Sequence, residues 1–275
     1  MSSKAMSLKA KIRNYAVDNK IAAQAVLQNY MFERFLDRLS RSNYKNNFII
    51  KGGMLIAAIV GLDTRSTMDL DTTLRGLPLS EKSILNAIEA ITDINLNDDV
   101  SFEIVSIAPI RRDDIYGGFC LRINAIYDTI VTPLSIDVST GDIITPEPIT
   151  YDFSGLFDEN IRINVWGYNI ETVMAEKVET ILSRGTLNTR PRDYYDVFIL
   201  HSSKPHDRSI FEEALRATSA HRGSTEVIED RSAILARISA SHDLQNMWSK
   251  YQQKYPYAQG IRYDEIMDVL RELLL

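Results

Sequence analysis

The feature that most constrains this chain is a change of hydrophobic period near residue 165. Before it, short alternating stretches are interleaved with segments of helical spacing; after it, only helical spacing remains. Two helices are expected first, over residues 7–18 and 21–42. In the second, Ile21, Ala25, Phe32, Phe35, Leu36 and Leu39 form one apolar stripe, with Arg34, Asp37, Arg38 and Arg41 on the opposite side. Phe48-Ile49-Ile50 is a short apolar run closed by Lys51-Gly52-Gly53, and a helix of small residues is expected over 54–60. Residues 67–74 alternate like a strand, and Ser80 is placed to cap a helix running to about Ile91, with Glu81 in its first turn. Three more strands are expected over 102–107, 119–127 and 134–138. Beyond the switch, helices are expected over 170–183, 191–201, 208–219, 226–239, 243–255 and 264–275. The expectation is an α+β chain: a mixed-sheet domain with flanking helices over 1–165, then a helical domain over 166–275. No tract resembles a flexible linker.

Composition narrows the function classes. With 25% charged and 45% hydrophobic residues in 275, the chain has the makings of a packed globule, and no apolar run nears the roughly 18 residues of a membrane span. A single cysteine, Cys120, excludes an internal disulfide framework and a multi-cysteine zinc site; inside an apolar stretch, it reads as a packing residue. The first twenty residues carry charges where a signal peptide needs its apolar stretch, so the cytoplasm is the expected compartment. Four histidines lack metal-ligand spacing, and no G-x-S-x-G suggests a serine hydrolase. The net charge is −6, but residues 1–45 hold nine Lys/Arg against three Asp/Glu, while residues 46–165 hold eight against eighteen. A basic arm precedes an acidic core, and the arm suits a polyanionic partner or an inhibitor-binding surface.

Asp69 and Asp71 are the most informative pair. Positions i and i+2 of a strand face the same way, so two carboxylates stand a few ångströms apart. At about 5 Å their repulsion is roughly 3 kcal/mol at an effective dielectric of 20, and under about 1 kcal/mol in bulk water. The pair is therefore either a solvated strand end or the ligand set of a hard divalent cation such as Mg²⁺. Upstream, Lys51-Gly52-Gly53 lies at a strand-to-helix junction, where glycine lets backbone N–H groups approach a phosphate. Asp137 lies in an alternating segment able to run beside the Asp69-x-Asp71 strand, with Ser135 on its own face. Three carboxylates on adjacent strands and a glycine-rich turn describe a two-metal phosphoryl or nucleotidyl transfer site.

The stretch K-G-G-M-L followed by R-S-T-M-D-L-D, and later A-E-K-V-E-T-I-L-S-R-G and R-P-R-D-Y-Y-D-V-F, resembles the AbiEii/AbiGii toxins of the DNA polymerase β-like nucleotidyltransferase superfamily over roughly residues 48–200. The resemblance implies a nucleotidyltransferase-like sheet domain in which Asp69, Asp71 and Asp137 hold Mg²⁺, Asp137 also helping to deprotonate the attacking hydroxyl. Gly53 stands where the wider superfamily has serine, and fifteen residues separate it from Asp69, longer than the superfamily pattern. The AbiEii-like branch typically shows this glycine pair and the R-x-T/S-x-D-x-D form, which brings Lys51, Gly52, Gly53, Arg65 and Thr67 into the candidate nucleotide site.

In the helical half the resemblance makes Lys177 a triphosphate ligand and Asp193 catalytically needed. Asp196, three residues on, shares the face of Asp193 near the positive start of its helix, and Arg184, Arg190 and Arg192 read as phosphate or RNA contacts. The bland alternatives are a solvated helix face or an ion pair with Glu176 or Asp193 for Lys177, a dipole-stabilising role for Asp193, and surface charge for the arginines. Tyr194 and Tyr195 read as packing. The resemblance further implies an enzyme transferring nucleotides from an NTP to an RNA acceptor, the tRNA 3′ end above all, with a separately encoded cognate antitoxin, in a toxin–antitoxin or phage-exclusion pair. The competing functions are a non-catalytic nucleotide- or RNA-binding regulator on the same fold, and nucleotidyl transfer to a protein or small molecule.

Overall fold

A computed structural model describes residues 3–65, 67, 69–110 and 117–275. Ser66 and Met68 of the R-S-T-M-D-L-D stretch lie outside the described residues. The chain divides into two compact units, Met1–Asp142 with Pro148–Gly167, and Ile143–Glu147 with Tyr168–Leu275.

The first unit runs α1 (Ser3–Asp18), α2 (Ala23–Arg41), β1 (Phe48–Lys51), α3 (Gly52–Val60), β2 (Asp69–Leu74), α4 (Glu81–Thr92), β3 (Val100–Pro109), β4 (Gly118–Tyr127), β5 (Ile130–Thr140), β6 (Ile149–Ser154) and β7 (Arg162–Gly167). Its strands form one mixed sheet in the order β3-β4-β5-β2-β1-β7-β6. The β2–β5 and β1–β7 pairs are parallel and the others antiparallel. Ser80 caps α4 by accepting the Ser83 N–H at 3.2 Å, as its position in the sequence predicts.

Alternation decides which face of the sheet is core. In β2, Leu70 and Thr72 are buried, and in β5 Leu134, Ile136 and Val138 are buried, while Asp71, Ser135, Asp137 and Ser139 stay half-exposed on the other face. Helix α2 packs on β5 and β7. Its apolar stripe from Ala25 to Leu39 is buried as expected, but its opposite side is only partly solvated: Arg41 is exposed while Arg34, Asp37 and Arg38 are buried. Arg38 forks onto Asp98 at 2.8 and 2.9 Å and donates to the Val100 carbonyl, so its charge is neutralised inside the fold. The basic arm is thus shorter than its charge count suggests. Lys9, Lys11 and Arg13 of α1 are exposed.

The second unit is helical: α5 (Ile170–Arg184), α6 (Pro191–Ser203), α7 (Arg208–Arg222), α8 (Thr225–Glu229), α9 (Arg231–Ala240), α10 (His242–Lys254) and α11 (Tyr263–Leu274). The single helix expected over 226–239 is divided at Asp230, whose ψ of 8° departs from helical geometry. Helix α5 packs on α6 and α7. Asn169 caps α5 by accepting the Thr172 N–H at 2.7 Å, while its amide donates to the carbonyls of Thr145 and Glu147. These bonds are why the short segment 143–147 belongs with the helices rather than with the sheet that precedes it.

Candidate active site

In the first unit the sheet register assembles the site. Asp71 is the register partner of Lys51 on β1 and of Asp137 on β5, and Asp137 is in turn the partner of Cys120 on β4. Four side chains of three chemical kinds therefore form one row across neighbouring strands, each about 4.8 Å from the next. Asp69 pairs with Ser135 one step along and is exposed, whereas Asp71 and Asp137 are half-exposed. Because β2 and β5 are parallel, the two carboxylate-bearing positions stay side by side.

The turn into α3 explains both glycines. Gly52 has a φ of 65°, and a β-carbon there would stand 2.2 Å from Asp71 Oδ2. Only glycine allows both that backbone and that carboxylate position. A β-carbon at Gly53 would stand 2.8 Å from Thr67 Oγ1 and 3.0 Å from Arg65 Nη2, both on buried residues. The serine of the wider superfamily would not fit here unchanged; the hydroxyl of Thr67 and the guanidinium of Arg65 occupy its space. Lys51 sends its ammonium to Asp142 at 2.5 Å and Ser139 at 2.9 Å. Burial would raise the Asp142 carboxyl, but the Lys51 charge and hydrogen bonds from Lys51, Ser139 and Thr73 outweigh it and hold it below its usual value.

Asp69, Asp71 and Asp137 offer hard oxygen donors, the chemistry Mg²⁺ prefers. Among the described residues no three His, Cys, Asp or Glu side chains close around one point. A cation here would complete its shell with phosphate oxygens and water, and on that donor set the residues fit the ion. Cys120 is half-buried rather than deeply packed. Burial raises its thiol above the ordinary value, a hydrogen bond with Ser135 pulls it back, and Asp137 adds to the rise, so it is no thiolate nucleophile.

In the second unit, Lys177 on α5 bonds Asp193 at 2.7 Å and lies 3.4 Å from Asp196, both near the start of α6. The ion-pair reading of Lys177 is the geometry found. Asp196 is fully buried and Asp193 nearly so; Asp193 Oδ2 has no hydrogen-bond partner among the described residues. A buried carboxylate oxygen without a donor is costly. Arg184 and Arg190 are exposed, and Arg192 donates to the Tyr255 hydroxyl at 3.3 Å. Tyr194 and Tyr195 are core residues, 2% and 1% exposed.

Several participants have no local signal in the sequence. Asn29, on α2, donates to the Thr67 carbonyl at 3.2 Å across 38 residues. Asp142 becomes the Lys51 partner across 91. Neither lies in a motif, and only the tertiary fold brings them close.

A mixed sheet that sets carboxylates in register beside a glycine-opened helix is the scaffold of a nucleotidyltransferase. Residues 34–269 match the profile of the nucleotidyl transferase AbiEii toxin, type IV toxin–antitoxin system, and the chain belongs to that family. It is therefore a nucleotidyltransferase, and the family implies a nucleotide substrate and a cognate antitoxin. A crystal structure from Helicobacter pylori described as a candidate nucleotidyltransferase is similar at TM-score 0.50 and 15% identity, over 92% of this chain and 96% of that one. A second, of JHP933 from Helicobacter pylori, reaches TM-score 0.49 and 14% identity, over 92% of each chain. At these identities the likeness concerns the fold alone. No curated protein matches. Among the described residues no helix is long and apolar enough to cross a membrane.

Proposed function

We propose that the chain is a Mg²⁺-dependent enzyme that transfers a nucleotide from an NTP to the 3′-hydroxyl of an RNA, tRNA above all, and so blocks translation in the cytoplasm. The observation that carries this reading is the register of Asp71 with Asp137, with the Asp71 carboxylate lying against Gly52 at the opening of α3. Two anions side by side on a half-exposed sheet face are an arrangement whose repulsion a polyvalent cation relieves.

Mg²⁺ held by Asp69, Asp71 and Asp137 would supply neutralisation of phosphate charge and a lowered proton affinity at the attacking oxygen. In this scheme Asp137 takes the proton of the RNA 3′-hydroxyl as that oxygen bonds to the α-phosphorus, and the α–β bridging oxygen leaves with pyrophosphate. Gly52 and Gly53 let the first amides of α3 approach the phosphates, with Thr67 and Arg65 supplying the hydroxyl and charge that a serine would otherwise bring. Lys177 is assigned to phosphate binding, aimed by Asp193 and Asp196. Arg184, Arg190 and Arg192 are assigned to RNA phosphates. The exposed Lys9, Lys11 and Arg13 add to the attraction of a polyanion.

The test is to incubate purified protein with Mg²⁺, each labelled NTP and total tRNA, and to look for label in the RNA. Label that appears with wild type and disappears with Asp69→Ala and Asp71→Asn supports the reading. Mg²⁺-dependent NTP binding with no label in any RNA, protein or small-molecule acceptor would instead favour a regulator on the same fold.

A further inference from the structure

Two segments of the helical unit are rich in cations and free of acids. Residues 184–192 contain three arginines and no Asp or Glu, and residues 250–262 contain two lysines and an arginine and again no Asp or Glu, in a chain of net charge −6. The fold joins them where Arg192 Nη2 donates to the Tyr255 hydroxyl at 3.3 Å. Around that bond lie half-exposed aromatic rings. Tyr255 and Tyr257 stack with centroids 5.4 Å apart at 27°, and the Lys254 ammonium stands 5.3 Å from the Tyr255 ring centre. Behind them Tyr195, Tyr251 and Trp248 are buried and back the pair, with Tyr195 and Tyr257 centroids 4.9 Å apart. Burial would raise the Tyr255 phenol, yet Arg192 and Lys254 hold it below its ordinary value, a sign of how cationic the surroundings are.

We propose that Arg192, Lys254, Tyr255 and Tyr257 form a docking platform for a single-stranded RNA end, the rings stacking an unpaired base and the cations meeting its flanking phosphates. The physical case is the combination. An aromatic face is sequence-tolerant because every base has a π surface, and cations beside it supply the phosphate attraction that stacking alone lacks. A double helix offers its bases already stacked and hydrogen-bonded, so the platform favours overhangs, loops and 3′ ends. Rings braced by a buried aromatic layer lose little freedom when a base arrives. Tyr194 and Tyr195 read from the sequence as packing residues, and both are buried; the half-exposed rings, Tyr255 and Tyr257, lie some sixty positions later.

This inference rests on the reading of RNA as acceptor and extends it to the surface that holds the RNA. The experiment measures affinity by fluorescence anisotropy for a labelled RNA hairpin with a single-stranded 3′ overhang, and for the same hairpin blunt-ended, alongside label transfer to tRNA. Wild type should prefer the overhang. Tyr255→Ala should weaken overhang binding roughly tenfold and blunt-end binding little. Tyr255→Phe, which keeps the ring, should restore most of the affinity. Arg192→Gln and Lys254→Gln, at positions that leave the aromatic core alone, should each lower the salt slope by about one. Unchanged overhang affinity in Tyr255→Ala and in the two cation variants, in a protein that still labels tRNA, overturns the platform while leaving the transfer reading standing, and would turn attention to a protein partner for the patch. A wild type that neither binds nor labels RNA overturns both.

Discussion

The two charged clusters of this protein solve opposite problems. On the sheet, Asp69, Asp71 and Asp137 gather negative charge on a half-exposed face, positioned by backbone register. In the helical unit, Lys177 sits on two carboxylates that are almost wholly buried. The first cluster is positioned by ladder hydrogen bonds between backbones, which a change of its side chains leaves in place. The second is held by its own ion pairs, so chemistry and stability are entangled there. Position by backbone sets the anions side by side; position by side chain spends the charges on each other.

Substitutions test that contrast. The largest effect is expected from Asp71→Asn, which should reduce nucleotide transfer about a thousandfold, on the order of 4 kcal/mol of transition-state stabilisation. Its urea midpoint should stay near that of wild type; a large loss of stability would erase the distinction between the clusters. Lys177→Ala should lose stability as well as transfer, leaving two buried carboxylates without their cation at a cost of roughly 3 kcal/mol in denaturant unfolding. Adding Asp193→Asn should return part of that loss, and no recovery would show that Lys177 stabilises by some other route.

Gly52→Ala tests the seam between glycine turn and carboxylate. A β-carbon at a φ of 65° and 2.2 Å from Asp71 Oδ2 must displace one or the other. A stability loss of roughly 1–2 kcal/mol is expected, with a fall in transfer activity larger than that strain alone explains. The smallest effect is expected from the Lys51–Asp142 pair. The folded-state value of Asp142 lies below the ordinary one, so its contribution is present above the ordinary carboxylate range and is lost as pH falls through the folded value. Asp142→Asn should therefore cost about 1 kcal/mol at neutral pH. As pH falls through that lowered value the variant and wild type should converge; a constant gap across pH would show that charge is not what the pair contributes.

Much of the site was readable from local pattern. Alternation around Asp69 and Asp71 predicts that they share a face, and the alternation of Leu134, Ile136 and Val138 predicts that Ser135 and Asp137 do too. The Ser80 cap and the helices of the second half are local as well, since capping and helical spacing act over three or four residues. Pattern failed where neighbours were distant in the chain. Nothing near Arg38 shows that it faces Asp98 and the Val100 carbonyl, so a charged helix side looked solvated when it is buried. Strand β6 carries too weak an alternation, with Ile149 exposed and Thr150 exposed beside it, to be distinguished from a loop until β7 lies alongside.

Periodicity, caps and glycine placement are short-range consequences of backbone geometry, and from them the amino-acid order alone settled where most strands and helices form and which acidic residues share a face. Which strand lies beside which, and so which carboxylate meets Lys51, Gly52 or Cys120, was decided only by tertiary structure. Strand pairing joins residues dozens of positions apart, and the free energy that selects one pairing over another comes from burying the whole sheet at once, a quantity no local stretch of sequence contains.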